Sequence, residues 1–185
     1  SQIVVNKKIY NDSIQSNSFF KQVYFLENIV IPVAPIGEYI ENSKAIHLVA
    51  ISNLRSVKNI EFAFKLVSCL NRQKLATLDL YYTHFDKEYF MKLDEIIIEL
   101  KVQDRVKLIK GEMEPQRFFN KYDLAIHPSV RESGPLTLLE YIAQGGPFVA
   151  FNTGESIKLI KNDFPEFIAY TFSEHEWMEN IELIL

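Results

Sequence analysis

Two carboxylates and a turn lie close together in the stretch ESGPLTLLE, residues 132–140. Glu132 and Glu140 flank a Ser-Gly-Pro turn that opens an apolar helix, and the strand-like segment DLAIHPS precedes them. A helix that begins at such a turn leaves backbone N–H groups free, and its dipole favours negative charge. The pattern therefore predicts a site for a ligand that carries phosphate and also presents hydroxyl groups.

A second polar loop, NLRSVKN at residues 53–59, follows a strand-like segment and enters the next helix. We expect Arg55 and Lys58 to lie near the same crevice as Gly134, because both loops leave the carboxyl ends of predicted strands. Two cations beside a helix N-terminus suit a diphosphate. Taken alone, such side chains are more often solvated loop charges, and it is the matching loop around Gly134 that favours binding.

From residue 45 onward, strand-like and helix-like segments alternate. The run AIHLVAIS is continuously apolar, which is typical of a strand buried on both faces. Short helices are expected at 114–122 and from about Glu155, and the last helix is expected to open with a capping box, Ser173-x-x-Glu176. Six strands are predicted, at 45–52, 77–85, 105–111, 123–129, 147–151 and 167–172. This alternation predicts an α/β fold with a doubly wound parallel sheet, whose ligands bind at the carboxyl ends of the strands.

The composition excludes several classes of protein. A net charge of −4 disfavours nucleic acid as a partner, and a single cysteine, Cys69, excludes a disulfide framework and fits a reducing compartment. The four histidines are scattered without the spacing of metal ligands. The six glycines form neither a G-x-G-x-x-G nor a Walker A loop, which disfavours a nicotinamide dehydrogenase and a P-loop NTPase. No apolar run is long enough to span a bilayer.

Residues 1–40 have a different character from the rest. Their pattern is irregular, with a polar SIQSNS and a proline-rich VIPVAPIG, and we interpret them as a linker or the end of a preceding N-terminal domain, with a strand near Val23–Phe25. The chain begins SQIVV without an initiator methionine, so we expect it to be a piece of a longer protein. Residues 41–185 are predicted to form the second, ligand-binding domain.

Four stretches together resemble the C-terminal half of a retaining GT-B glycosyltransferase of the group 1 family. They are NLRSVKN, RVKLIKG, YDLAIHPS and ESGPLTLLEYIAQGGPFVAFNTGE, and the resemblance covers roughly residues 23–185. The last of them is similar to the family's E-x7-E block and the strand that follows it. The resemblance implies that residues 41–185 are a Rossmann-like domain that binds a nucleotide sugar, within an enzyme of the hexosyltransferase type.

The resemblance also implies roles for residues in the E-x7-E block. Glu132 is expected near the hydroxyls of the transferred sugar, as the catalytic residue of this domain, and Glu140 is expected to accept hydrogen bonds from the ribose. The turn and the start of the helix would face the diphosphate with their backbone, with Pro135 as the first helical residue. The residues of this diphosphate-binding segment are Ser133, Gly134, Pro135 and Leu136.

Further donor-binding residues follow from the same resemblance. Lys58 matches the family's phosphate-binding lysine. The family usually has an arginine five residues before that lysine, where this chain has Asn53, and Arg55 is the candidate substitute. The loop after the third strand is expected to hold the base, largely through its backbone, and it consists of Gly111, Glu112 and Met113.

The implied function is transfer of a sugar from a nucleotide-diphosphate sugar to an acceptor, in surface glycan or polysaccharide synthesis. No metal and no cofactor are expected. The acceptor would bind through an N-terminal domain outside this chain, the isolated piece would be inactive, and the whole protein would be cytoplasmic, with peripheral contact at the inner face of the membrane. Two alternatives stay open: a non-catalytic nucleotide-sugar-binding module, and a GT-B epimerase or phosphorylase. The sugar, base, acceptor and oligomeric state are not predicted.

Overall fold

A computed structural model describes most of the chain, and two short strands lie apart from its main sheet. The described residues are 2–4, 10–12, 14, 23–25, 28–35, 45–72, 74–111 and 114–185. Strands β1 (Gln2–Val4) and β2 (Val23–Phe25) pair in parallel with each other. The strand predicted near residues 23–25 is therefore present. The division of the chain at residue 40 stays a prediction.

The main sheet has six strands, and all of their pairings are parallel. Its order is β5-β4-β3-β6-β7-β8. Strands β4 and β5 are added on one side of β3, and β6, β7 and β8 are added on its other side. The bounds are β3 Ile46–Ile51, β4 Ala76–Tyr82, β5 Val106–Lys110, β6 Leu124–His127, β7 Phe148–Phe151 and β8 Ile168–Ala169. This order confirms the predicted doubly wound sheet and places its switch point between β3 and β6.

Helices cover both faces of the sheet. They are α1 Ile60–Leu70, α2 Lys87–Glu99, α3 Leu136–Gln144 and α4 Glu174–Ile184, with 3₁₀ turns at Ser56–Lys58, Pro115–Lys121, Ser156–Leu159 and Pro165–Phe167. One buried cluster includes Phe64, Leu78 and Trp177, and the other includes Tyr141 and Phe148. The continuous apolar strands are thus explained by burial on two sides. Within the described part of the chain, no helix is long and apolar enough to cross a membrane.

The predicted elements differ from the observed ones near the end of the sheet. The helices predicted at 114–122 and from about Glu155 are present, but as 3₁₀ helices of seven and four residues. The sixth strand has two residues, because the N–H groups of Tyr170 and Thr171 donate to the Glu176 carboxylate instead of continuing the sheet. The prediction of a capping box at Ser173 and Glu176 is also wrong. Since Glu176 is engaged with these residues, the Ser173 N–H donates to the Thr171 hydroxyl, and Ser173 makes no side-chain cap.

Candidate functional site

The two polar loops meet at the switch point of the sheet. The 3₁₀ turn Ser56–Lys58 follows β3, and the turn before α3 follows β6, so both lie at the carboxyl edge. The Val130 N–H donates to the Val57 carbonyl at 2.9 Å and joins the loops through their backbones. Lys58 and Glu140 therefore lie at the same edge of the sheet, as the sequence predicts.

Lys58 and Glu132 form an ion pair where the loops meet. The Lys58 Nζ lies 2.5 Å from the Glu132 Oε1, and the two side chains are only 23% and 11% exposed. Burial raises the pKa of the Glu132 carboxyl, but its polar neighbours His127, Lys58 and Ser129 outweigh burial and lower that pKa to about 2. Glu132 is therefore held as a carboxylate over the physiological range, and Lys58 is already paired with an anion.

His127 approaches the same carboxylate from the end of β6. Its ring is buried, and its Nε2 lies 3.4 Å from the Glu132 Oε1. The geometry is not that of a hydrogen bond, and in the described part of the chain the Nε2 has no hydrogen-bond partner. At this distance, His127 still helps to lower the pKa of the Glu132 carboxyl.

The helix of the E-x7-E block begins one residue later than predicted. Pro135 has an extended ψ of 111° and is the N-cap, not the first helical residue, and α3 starts at Leu136. The first helical bond runs from the Leu139 N–H to the Pro135 carbonyl. The N–H groups of Leu136, Thr137 and Leu138 are left without intrahelical partners, as at any helix N-terminus. Pro135 therefore leads the chain into the helix, and the N–H groups without intrahelical partners belong to the residues after it.

A cleft of about 440 Å³ opens at this edge of the sheet. Its walls come from the ends of β3, β4 and β5, from the loop before the 3₁₀ turn Pro115–Lys121, and from the first turns of α3. Residues that line it include Asn53, Tyr81, Thr83, Gly111, Gln116, Leu136, Thr137 and Glu140. The cleft thus contains four of the predicted site residues: Asn53, Gly111, Leu136 and Glu140.

Glu140 is a half-buried carboxylate in this cleft. Burial raises the pKa of its carboxyl. Among the hydrogen bonds and ion pairs of the described residues, none involves this carboxylate. The charge of Glu132 is therefore compensated within the protein by Lys58. The Glu140 carboxylate has no such partner among the described residues, and a ligand could supply one.

The remaining predicted residues lie in several places. The Asn53 Oδ1 accepts hydrogen bonds from the Thr83 hydroxyl and the His84 N–H, both at 3.0 Å, so Asn53 ties the β3 loop to the β4 loop. Arg55 is exposed and lines a second depression at the start of the 3₁₀ turn, whereas Lys58 lies at the end of that turn. Neither Arg55 nor Gly134 is among the described residues that line the cleft, so a place for Arg55 in the Gly134 crevice stays a prediction.

Two predicted residues, Glu112 and Met113, lie outside the described residues, so only Gly111 of the base-binding loop is placed. Metal ligation was predicted to be absent. Within the described ranges, no group of three or more His, Cys, Asp and Glu side chains is arranged to hold a metal ion. The absence of a metal from the reaction stays a prediction.

The loop after β7 braces the turn before α3. The Glu132 N–H donates to the Thr153 hydroxyl at 3.2 Å, and the Glu155 N–H donates to the Ser133 carbonyl at 3.3 Å. Gly154 has a φ of 82°, and a Cβ there would lie 3.0 Å from the Pro135 Cδ. A side chain at this position would be strained and crowded, so the glycine permits the close approach of the two loops.

A segment that the sequence did not link to the site, residues 28–35, lies along α3. The Asn28 side-chain amide donates to the Gly134 carbonyl at 3.1 Å. Two bonds join the Gln144 side chain to the N–H and carbonyl of Val33, at 3.0 and 3.1 Å. A nine-residue helix is about 14 Å long, and five extended residues span about 16 Å, so the segment can reach from one end of α3 to the other. We call residues 28–35 the strap.

The strap also lies close to the glycine of the turn. Gly134 does not have a positive φ, but a Cβ there would lie 3.2 Å from the Asn28 Nδ2. No periodic pattern could have revealed the strap, because its contacts are single polar side chains on irregular backbone.

We expect Asn28→Ala to loosen the turn and weaken binding of a nucleoside diphosphate about fivefold. The change leaves the Gly134 carbonyl without its partner, and a lost hydrogen bond costs about 1 kcal/mol. Ile29→Ala is the matched control, since Ile29 lies in the same strap but is 80% exposed. Calorimetric titration of both variants checks this. Equal affinities would show that the strap does not position the turn.

Comparisons with known proteins identify a family and related glycosyltransferases. The sequence model of the family described as "Glycosyl transferases group 1" matches residues 37–185. The GtfA subunit of the UDP-N-acetylglucosamine–peptide N-acetylglucosaminyltransferase of Streptococcus pneumoniae is 28% identical over 128 residues, which are 67% of this chain and 25% of that protein. This chain therefore spans about a quarter of that relative.

Solved structures share the fold at low sequence identity. The pneumococcal O-GlcNAc transferase GtfA in complex with UDP and GlcNAc has a TM-score of 0.68 at 20% identity, over 99% of this chain and 36% of that one. Anabaena HepE in complex with UDP and glucose has a TM-score of 0.77 at 17% identity, over 98% of this chain and 52% of that one. The observed sheet is thus that of the C-terminal half of a GT-B fold.

Proposed function

Because this chain belongs to the group 1 glycosyl transferases, we propose that it is the domain that binds a nucleotide-diphosphate sugar. The observation that carries the proposal is the cleft at the switch point, which brings an unpaired carboxylate, Glu140, close to the N-terminus of α3. Lys58 and Glu132 lie on the neighbouring loops. A nucleoside diphosphate needs these groups: hydroxyl acceptors at one end and anion donors at the other.

The diphosphate would lie at the start of α3. The free N–H groups of Leu136 and Thr137 and the helix dipole favour an anion there. Lys58 would add a positive charge when it turns from Glu132 towards the ligand. When the bond between the anomeric carbon and the phosphate oxygen breaks, negative charge grows on the leaving diphosphate, and fixed donors aimed at that charge lower the barrier.

The nucleoside and the sugar would use the two glutamates separately. Glu140 lines the cleft between the ends of β3 and β5, and we assign it to the ribose hydroxyls. Glu132 would face the hydroxyls of the transferred sugar. Gly111, with the neighbouring Glu112 and Met113, would hold the base. Asn53 would keep the wall of the cleft in place through its bonds to the β4 loop.

The rest of the reaction belongs to the whole protein. We propose transfer with retention of configuration, without a metal, to an acceptor held by an N-terminal domain, so that this chain alone binds a donor weakly and turns over nothing. A surface glycan or polysaccharide is the proposed product, and a cytoplasmic protein with peripheral contact at the inner membrane face is the proposed setting. An Arg55 contact to phosphate would require its exposed side chain to reach across from the second depression.

We expect Glu140→Gln to weaken binding of a ribonucleoside diphosphate by about 1–2 kcal/mol, or roughly 5- to 30-fold. A hydrogen bond to a charged acceptor is about twice as strong as a neutral one, and the variant keeps the size of the side chain. The same variant should not lose stability, because burial raises the pKa of Glu140 and its charge therefore opposes folding at neutral pH.

The control for this variant is a ligand without ribose hydroxyls. Calorimetry should compare a ribonucleoside diphosphate with its 2′,3′-dideoxy analogue, on wild type and on Glu140→Gln. The variant should lose most of the discrimination between them. If it discriminates as well as wild type does, Glu140 does not bind the ribose. If no nucleotide from a panel of bases binds the wild type at all, the proposed function is wrong.

A further inference from the structure

His127 is a buried group that the proposed function leaves without a role. It is 3% exposed, and its Nε2 points towards the Glu132 carboxylate without forming a hydrogen bond. A buried polar nitrogen without a partner costs free energy, so such an atom calls for an explanation.

The neighbours of His127 define what it can do. Glu132 approaches from the loop after β6, Lys58 from the 3₁₀ turn after β3, and Tyr141 from α3 with its ring centroid 6.4 Å away. Burial raises the pKa of Tyr141, whose hydroxyl accepts the Ile51 N–H, so it stays neutral. Glu140 is next to it on α3 and lines the cleft. Glu132 is therefore the carboxylate in position to compensate a charge on His127.

The Lys58 ammonium group cannot fully compensate both the Glu132 carboxylate and a diphosphate at the same time. In this structure it neutralises Glu132. The proposed function, on which this inference rests, requires it to turn to the diphosphate of the donor. Glu132 would then be a carboxylate that is 11% exposed and has lost its cation, which is a costly arrangement.

We propose that His127 replaces Lys58 as the partner of Glu132 when the donor binds, and that it does so by taking up a proton. While Glu132 is paired with Lys58, a protonated imidazole would be a second buried cation that faces the same carboxylate. When Lys58 moves to the diphosphate, the protonated imidazole donates its Nε2–H to the Glu132 Oε1. The proton comes from solvent, and no bond to the substrate changes in this step. His127 is thus a positioning residue, which keeps Glu132 ionised and directed at the sugar.

The test measures protons taken up on binding of a UDP-sugar. Such a ligand has no phosphate that titrates near neutral pH, so uptake reports on the protein. Calorimetry in two buffers of different ionisation enthalpy should give up to one proton taken up per ligand near pH 7 in the wild type. By linkage, the Kd should then rise by up to about tenfold per pH unit as the pH increases.

Two variants assign the proton. His127→Gln should abolish the uptake, and His175→Gln, which changes an exposed histidine on α4 paired with Glu179, should leave it unchanged. Uptake that persists in a folded His127→Gln would place the proton on another group and overturn the proposal. Binding without any proton uptake in the wild type would also overturn it, while leaving the proposed function intact.

A second measurement uses only the wild type, so its outcome does not depend on replacing a buried residue. The imidazole ¹⁵N resonances of His127 should move from the neutral to the protonated positions when the UDP-sugar is added at pH 7. Resonances that stay neutral would contradict the proposal. A failure of every nucleotide sugar from a panel of bases to bind would instead contradict the proposed function, and this proposal with it.

Discussion

Lys58→Ala should weaken binding of a nucleoside diphosphate by about 10- to 150-fold and leave binding of the nucleoside unchanged. A hydrogen bond to a charged group contributes about 1.5–3 kcal/mol, and Lys58 is the cation that the structure places beside the start of α3. The substitution also removes Lys58 as the ion-pair partner of the Glu132 carboxylate. Calorimetric titration with UDP and with uridine separates the two ligands.

The control for Lys58→Ala is Arg55→Ala. Arg55 lies three residues earlier and has the same charge, but it is exposed and lines the second depression. We expect it to change UDP binding no more than about twofold, since exposed charges contribute little. Equal losses for UDP and uridine in Lys58→Ala would show that Lys58 does not bind phosphate. A large loss in Arg55→Ala would give Arg55 that role instead.

Glu132→Gln should remove a large part of the acid sensitivity of the fold. The pKa of Glu132 is lowered to about 2 from an ordinary value of 4.5, so its stabilising contribution is fully present above pH 4.5 and is lost as the pH falls towards 2. That difference corresponds to about 3 kcal/mol in the free energy of unfolding, as an order of magnitude. Denaturant unfolding at pH 6 and at pH 3 measures the contribution in wild type and variant.

The expected result is a smaller difference between the two pH values in Glu132→Gln than in the wild type. Glu155→Gln is a suitable control, because its carboxylate pairs with Lys158 on the surface and both side chains are largely exposed. It should change the pH dependence little. If Glu132→Gln and the wild type lose the same free energy between pH 6 and pH 3, the buried ion pair does not stabilise the fold. In the full-length enzyme, Glu132→Gln should in addition lower transfer more than it lowers donor binding.

The fold could be predicted from the sequence because its strands are apolar on both faces. Runs such as AIHLVAIS have few other places in a folded domain than the centre of a parallel sheet, and the connecting helices carry their own apolar stripes. Elements at the end of the sheet were predicted less well. There, the hydrogen-bonding of Glu176 to Tyr170 and Thr171 ended the strand early, and this depended on side chains that a pattern of hydrophobicity does not include.

The candidate site was predicted in outline but not in its internal contacts. The spacing of Glu132 and Glu140 around a turn placed both at the switch point, because the strand and the helix fix their positions. The pairing of Lys58 with Glu132 joins residues 74 positions apart, and the sequence does not encode such a pair in any local pattern. The same is true of Asn28, which reaches the turn from 106 residues away.

A crystal structure of this chain with a UDP-sugar bound tests the central claim most directly. We predict the diphosphate within hydrogen-bonding distance of the Leu136 and Thr137 N–H groups, the ribose on the Glu140 carboxylate, and the Lys58 Nζ turned from Glu132 to a phosphate oxygen. A nucleotide bound outside the cleft, or a diphosphate bound while Lys58 stays paired with Glu132, would contradict the account.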